Sequence, residues 1–110
     1  MNPWETQLRK GLVELAVLAS LAGGEAYGYA IVERLRAMEG LRFTESTVYP
    51  VLSRLAKEGV LSVRSAASPT GPPRRYYRLT TEGRRRLDAM VESWRTVAGS
   101  LSTLIEGAIS

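Results

Sequence analysis

The sequence predicts a mainly α chain with one small β-hairpin, in the order helix, helix, helix, hairpin, long helix. Three observations carry that expectation. Apolar residues recur at helical spacing in three segments, each closed by glycine. After Gly59 the period drops to two. Past Thr80 a heptad stripe runs towards the C-terminus without a break.

The first helix is expected over 6–21, where Leu8, Leu12, Leu15, Ala16 and Ala19 repeat and Val13, Val17, Leu18 and Leu21 widen the stripe. Gly23 and Gly24 stop it. A second helix runs from Ala26 to Met38 with Ile31, Val32, Leu35 and Met38 inward, and Gly40 ends it. The third spans Ser46 to Lys57, with Val48, Val51, Leu52 and Leu55 inward. With Ser46 or Thr47 as its N-cap, Pro50 falls in or beside the first turn, where a missing N–H costs little. The opposite face offers Thr47, Ser53, Arg54 and Lys57 to solvent or to a ligand.

Beyond Gly59, Leu61 and Val63 alternate with Ser62 and Arg64 as a half-buried strand does. Residues 65–73 hold three prolines and a glycine without periodicity and are expected to be a loop. Alternation resumes over 75–79, with Tyr77 and Leu79 inward and Tyr76 and Arg78 outward. Three helices followed by a hairpin is the order of a winged helix-turn-helix, the proline-rich tip beside Arg74 and Arg75 being the wing. Thr80 or Thr81 caps the last helix. Its residues Leu87, Met90, Trp94, Val97, Leu101, Leu104 and Ala108 keep an unbroken heptad spacing. A helix leaving so small a domain buries such a stripe most economically against a second copy of itself. The alternative is that it folds back on its own core, and Gly99 and Gly107 argue against a rigid rod to the end. The chain thus divides into a winged helix-turn-helix over 1–80 and a dimerisation helix over 81–110.

Composition narrows the chemistry. The chain has 110 residues, 45% of them hydrophobic, enough for one domain with a modest core. It has no cysteine and no histidine, which removes disulfides, thiolate and imidazole metal sites and histidine acid–base catalysis. The carboxylates are scattered, and there is no glycine-rich phosphate loop. No enzyme, metal site or cofactor is therefore expected. No apolar run is long enough to span a bilayer, so a soluble cytoplasmic protein is expected. The net charge of +4 is unevenly spread: from Gly40 to Arg86 ten basic residues face three acidic ones, whereas the flanking segments carry more acid than base. A polyanion-binding surface has that concentration of charge, because cations that neutralise phosphates release condensed counterions.

The chain resembles the short subfamily of PadR-like bacterial transcriptional regulators over its full length. The matching pieces are Tyr27-Gly28-Tyr29 with Ile31, then Ser46-Thr47-Val48-Tyr49-Pro50-Val51-Leu52 with Leu55 and Gly59, then Pro72-Pro73-Arg74-Arg75-Tyr76-Tyr77-Arg78-Leu79-Thr80 with Gly83. The family often has glycine in place of Ser46 and leucine in place of Val48. The resemblance implies a homodimeric repressor on double-stranded DNA with an inverted-repeat operator. The third helix enters a major groove and the wing meets the flanking backbone.

On that basis the DNA-binding set is Ser46, Thr47, Tyr49, Ser53, Arg54 and Lys57 of the third helix with Arg74, Arg75 and Arg78 of the wing. Arg54 is the expected direct reader, since its planar fork pairs with guanine O6 and N7. Tyr49 either bonds a phosphate or packs between helices. The wing arginines position the duplex. Leu87, Met90, Trp94, Val97, Leu101 and Leu104 form the dimer interface. The resemblance also implies a small aromatic effector held by Trp94 and its symmetry mate, beside the plainer reading of Trp94 as an interface core residue. A winged helix that docks on an acidic protein, without sequence-specific DNA binding, is the alternative function.

Overall fold

Pro3 opens α1 (Pro3–Ser20) ahead of the predicted start at Thr6, at a position where a proline's missing N–H has no helical partner to lose. The computed structural model describes residues 3–109; residues 1, 2 and 110, the outer ends of the two predicted segments, lie outside the described residues. Val13, Val17 and Leu18 bury one stripe of α1.

Ala26 and Tyr27 do not begin the second helix, as the periodicity suggested. They form β1 (Ala26–Tyr27), antiparallel to a later strand with Ala26 opposite Tyr77 and Tyr27 opposite Tyr76. Two residues are too few to show a period, and their hydrogen-bond partner lies far along the chain. Helix α2 (Gly28–Arg36) follows directly and stops short of Met38, which is exposed rather than inward.

Helix α3 (Glu45–Lys57) is capped by Thr44, which corrects the expected cap at Ser46 or Thr47. Thr44 is extended, and its carbonyl accepts the N–H groups of Thr47 and Val48 at 3.0 Å each. Its hydroxyl lies 2.9 Å from Ser46 Oγ and 3.1 Å from Thr47 Oγ1, so three short side chains share protons over the first turn. Pro50 consequently sits in the second turn and deprives the Ser46 carbonyl of its helical donor. Both residues are exposed. At the far end Gly59 adopts φ +78°, and Val60 donates to the Leu55 carbonyl at 3.0 Å, a left-handed cap that a side chain would strain.

The hairpin is longer than predicted. Strands β2 (Leu61–Ser68) and β3 (Gly71–Leu79) take in most of the expected 65–73 loop and leave only Pro69 and Thr70 as the turn. Pro72 and Pro73 are tolerated because the register slips between Ala66 and Ser68 opposite them, and because β1 covers β3 only at Tyr76 and Tyr77. Prolines in sheets occur at such bulges and free edges. The sheet order is β1-β3-β2.

One core joins all of this. Ile31, Val32 and Leu35 of α2, Val48, Leu52 and Leu55 of α3, Val60, Leu61 and Tyr77 of the hairpin, and Leu87 of the last helix are buried together with α1. Val63, expected inward, is exposed past the edge of that core. Helix α4 (Thr81–Ile109) is anchored at its start: the Thr80 hydroxyl donates to the Gly59 carbonyl at 2.7 Å and accepts the Gly83 N–H at 3.0 Å. Gly83 lies so close to the Val60 carbonyl that a Cβ there would collide with it. Thr80, one of the two expected caps, therefore locks the last helix to the end of α3.

Candidate nucleic-acid interface

Helical spacing sorts the exposed residues of α3 into three rows. Tyr49 and Ser53 lie on the flank towards the hairpin, with Ser46 between them and the crest. Pro50 and Lys57 form the crest opposite the buried Val48, Leu52 and Leu55, and Thr47 and Arg54 lie on the flank towards α1. Tyr49 and Ser53 meet the hairpin across an open groove of about 830 Å³ that Arg74, Arg75, Tyr27 and Tyr29 also line. The Tyr49 ring packs edge-on against Gly28, where an added Cβ would come within 2.6 Å of its Cε1, yet the residue stays 37% exposed. The packing reading of Tyr49 is thus met in part, with over a third of the residue left in water. Burial, and then the charge of Glu45, push its phenol above its ordinary 10.0, so it keeps a proton to donate.

Alternation along β3 divides the wing arginines. Arg75 shares a face with the buried Tyr77; Arg74, Tyr76 and Arg78 share the opposite one. On that outer face a ladder of rings and cations crosses the sheet. Arg64 lies 4.5 Å over the Tyr76 ring, Tyr76 tilts against Tyr27 at 5.7 Å, and Arg74 lies 4.6 Å over Tyr27. Glu25 accepts both Arg64 Nε and Nη2, at 2.7 and 2.6 Å, and that bond holds its carboxyl below the ordinary range. The wing is thereby braced against the turn that enters α2. Arg78 is exposed and adds its charge to Glu25's surroundings, outside the groove.

The structure thus brings together Tyr49, Ser53, Arg74 and Arg75, keeps Ser46, Thr47 and Lys57 exposed along α3, and sets two residues apart. Arg78 is one. The other is Arg54, whose guanidinium is engaged by Glu14 of α1 at 2.8 Å and by Glu58 at 3.1 Å. Of the Arg84, Arg85 and Arg86 run, Arg84 donates to the Ala22 carbonyl at 2.9 Å and Arg86 pairs with Glu58 at 2.9 Å. Sequence reasoning passed over Tyr27 and Tyr29 in the groove. It also passed over Lys10 and Arg42, which border a hollow beside Thr47 on the other flank. Lys10 reads as a mere interruption of an apolar helix until α1 is packed beside α3.

The heptad stripe divides as well. Leu87 is only 4% exposed within its own chain, and Met90 packs on the same core. Leu87 therefore has no surface to offer a partner, a correction to its place in the dimer interface: the first turns of α4 belong to the domain they leave. Past them Trp94 is 45%, Leu101 50% and Leu104 69% exposed, with Val97 and Ile105 also open to solvent. Leu8, Leu12 and Leu15 of α1 face Met90, Trp94, Val97 and Leu101 across an apolar groove of about 540 Å³. Trp94 also walls a second hollow of about 320 Å³ with Ala16, Leu41 and Val91. Among the described residues no helix is long and apolar enough to cross a membrane.

Three helices with an exposed third, beside a braced basic hairpin, define a winged helix-turn-helix. The family model for the transcriptional regulator PadR-like family matches residues 17–89, and the chain belongs to that family. Its members are transcriptional regulators, not enzymes. A transcriptional regulator of Mycobacterium tuberculosis is 33% identical over 100 residues, covering 87% of this chain and 92% of that protein. A PadR family regulator from Eggerthella lenta superposes with a TM-score of 0.80 at 34% identity, covering 92% of this chain and 88% of the other. Bacillus subtilis PadR, solved in complex with operator DNA, matches 73% of this chain and 45% of its own at 28% identity and a TM-score of 0.68.

Proposed function

We propose that this regulator is a homodimeric repressor that binds an inverted-repeat operator in the cytoplasm, with residues 1–80 reading DNA and the exposed part of α4 pairing the subunits. The observation that carries the reading is the groove between α3 and the wing, which Tyr49, Ser53, Arg74 and Arg75 line beside an uncovered helix crest. The B. subtilis relative, part of which shares this shape, was solved in complex with operator DNA. A major groove admits a helix, and its two backbones then fall beside that helix. Ser46, Thr47, Tyr49 and Ser53 face the bases and the near backbone, Lys57 meets the backbone at the far end of the helix, Arg74 and Arg75 hold phosphates across the groove, and Arg78 adds charge at the outer edge of the wing.

Pairing is supported by the apolar surface that a lone subunit leaves in water. Trp94, Val97, Leu101, Leu104 and Ile105 along α4, together with Leu8 of α1, are large apolar side chains left in water, and clustered exposure of that kind marks interaction surfaces. Two copies joined by their α4 helices cover that surface. The hollows on either side of Trp94 suit a flat aromatic effector at the subunit boundary.

The test is selection from a random duplex library by the purified chain, followed by footprinting and sedimentation. Expected are a two-fold symmetric enriched sequence and two chains per duplex. Equal weak binding to every duplex, or a monomer at all concentrations, overturns the reading.

A further inference from the structure

On the flank of α3 away from the wing, four charges from three helices close into a ring. Arg54 donates to Glu14 of α1 at 2.8 Å and to Glu58 at 3.1 Å. Arg86 of α4 donates to Glu58 at 2.9 Å and lies 3.5 Å from Glu14. Each charge therefore has two opposite neighbours, and the ring as a whole is neutral. We propose that this ring sets the angle between the recognition helix and the α1–α4 platform. Arg54 is then a positioning residue for operator spacing and does not read bases. The inference rests on the homodimeric, operator-binding reading above.

The other directional attachment of α3, Thr80 on the Gly59 carbonyl, ties its far end to α4 and leaves its setting against α1 to burial. Val48, Leu52 and Leu55 hold the helix by burial, which is strong but non-directional. The ring is the opposite kind of contact. Its pairs are partly exposed and add little to folding stability. An arginine fork on carboxylates nevertheless fixes direction, because its donors lie in one rigid plane.

Its location suits the role. Arg54 lies in the last turn of α3, whereas helices of this kind present their N-terminal residues to base edges. Glu14 and Arg86 come from the two helices that wall the apolar groove, and Arg86 itself lines that groove. The ring thus joins the face proposed to pair subunits to the helix proposed to enter DNA. In a dimer, a small rotation of α3 on each platform changes the separation of the two reading helices. Spacing between half-sites reports that separation directly.

The experiment uses the full chain and the duplex it selects from a random library, together with copies whose centre is longer or shorter by a single base pair and copies with one base changed in a half-site. Wild type should prefer the selected spacing. Glu14→Gln, isosteric and outside α3, should lower that preference about tenfold, the size of a coupling within one ion-pair network. Glu58→Gln and Arg54→Met should lower it similarly, and all three should leave the single-base penalties unchanged. Spacing preference intact in Glu14→Gln and Glu58→Gln overturns the proposal. So does an Arg54→Met chain that loses discrimination at one base pair alone, since that marks a base reader. A wild-type chain that selects no two-fold duplex overturns the dimer reading itself, and the proposal with it.

Discussion

The two working faces of this chain are built in opposite ways. The face formed by α3 and the wing is polar, cationic and braced by its own subunit. Thr44 caps the helix, Gly28 seats Tyr49, and the Arg64–Tyr76–Tyr27–Arg74 ladder ties the hairpin to the entry of α2. The face formed by α1 and the far half of α4 is apolar and unfinished, with Trp94, Leu101 and Leu104 in the open. The first has an ordered shape before any ligand arrives. The second, if two subunits pair as proposed, is completed by burial. Electrostatics governs one and burial the other, so salt and side-chain truncation should separate them cleanly.

The largest effect should come from the stripe shared by both halves of α4. Leu87→Ala should cost about 2–5 kcal/mol of folding stability, since it empties a site inside the subunit core. Leu101→Asp, at the same heptad position two repeats on, should instead leave a folded monomer, because it sets like charges against each other at the proposed pairing face without touching that core. Calorimetry and sedimentation read the two outcomes, and a dimeric Leu101→Asp chain would erase the contrast between the halves.

The wing comes next. Arg74→Glu with Arg75→Glu should lower the slope of log affinity against log salt by roughly 0.9 for each phosphate that the wing no longer neutralises. Titrations at several ionic strengths measure it, and an unchanged slope takes the wing off the DNA. Smallest of all is the response to acid. The carboxyls of Glu25 and Glu58 are held below their ordinary 4.5, chiefly by Arg64 and Arg86 respectively. Lowered folded values mean that this stabilisation is present above 4.5 and is lost as pH falls through the depressed range. Glu25→Gln with Glu58→Gln should therefore flatten the fall of melting temperature below pH 4.5, and parallel curves would show that the two pairs are inert.

Much of the architecture was legible in the sequence, for identifiable reasons. Val48, Leu52 and Leu55 recur at the helical period, and Tyr77 alternates with its neighbours, so their burial follows from local geometry. The strand Ala26–Tyr27 was hidden because its pairing is supplied entirely by Tyr76 and Tyr77. Residues 65–73 read as a loop because prolines ordinarily end strands, and the bulge that admits Pro72 and Pro73 exists only once β2 lies opposite.

The candidate interface shows the same divide. Thr47, Ser53, Arg54 and Lys57 do lie on the uncovered side of α3, as their spacing implies, but spacing does not tell a crest from a flank. Arg54 lies within reach of Glu14, a carboxylate whose proximity depends on how α1 packs.

Periodicity, charge and capping chemistry act over a few residues, so the chain alone determined its helices, its hairpin, its cationic middle and the apolar stripe of α4. Which leucine of that stripe serves the subunit's own core, which arginine is held by carboxylates and which tyrosines wall the groove depended on elements far apart in the chain meeting in space. Proximity of that kind carries no local spacing, and it exists only after the helices have packed.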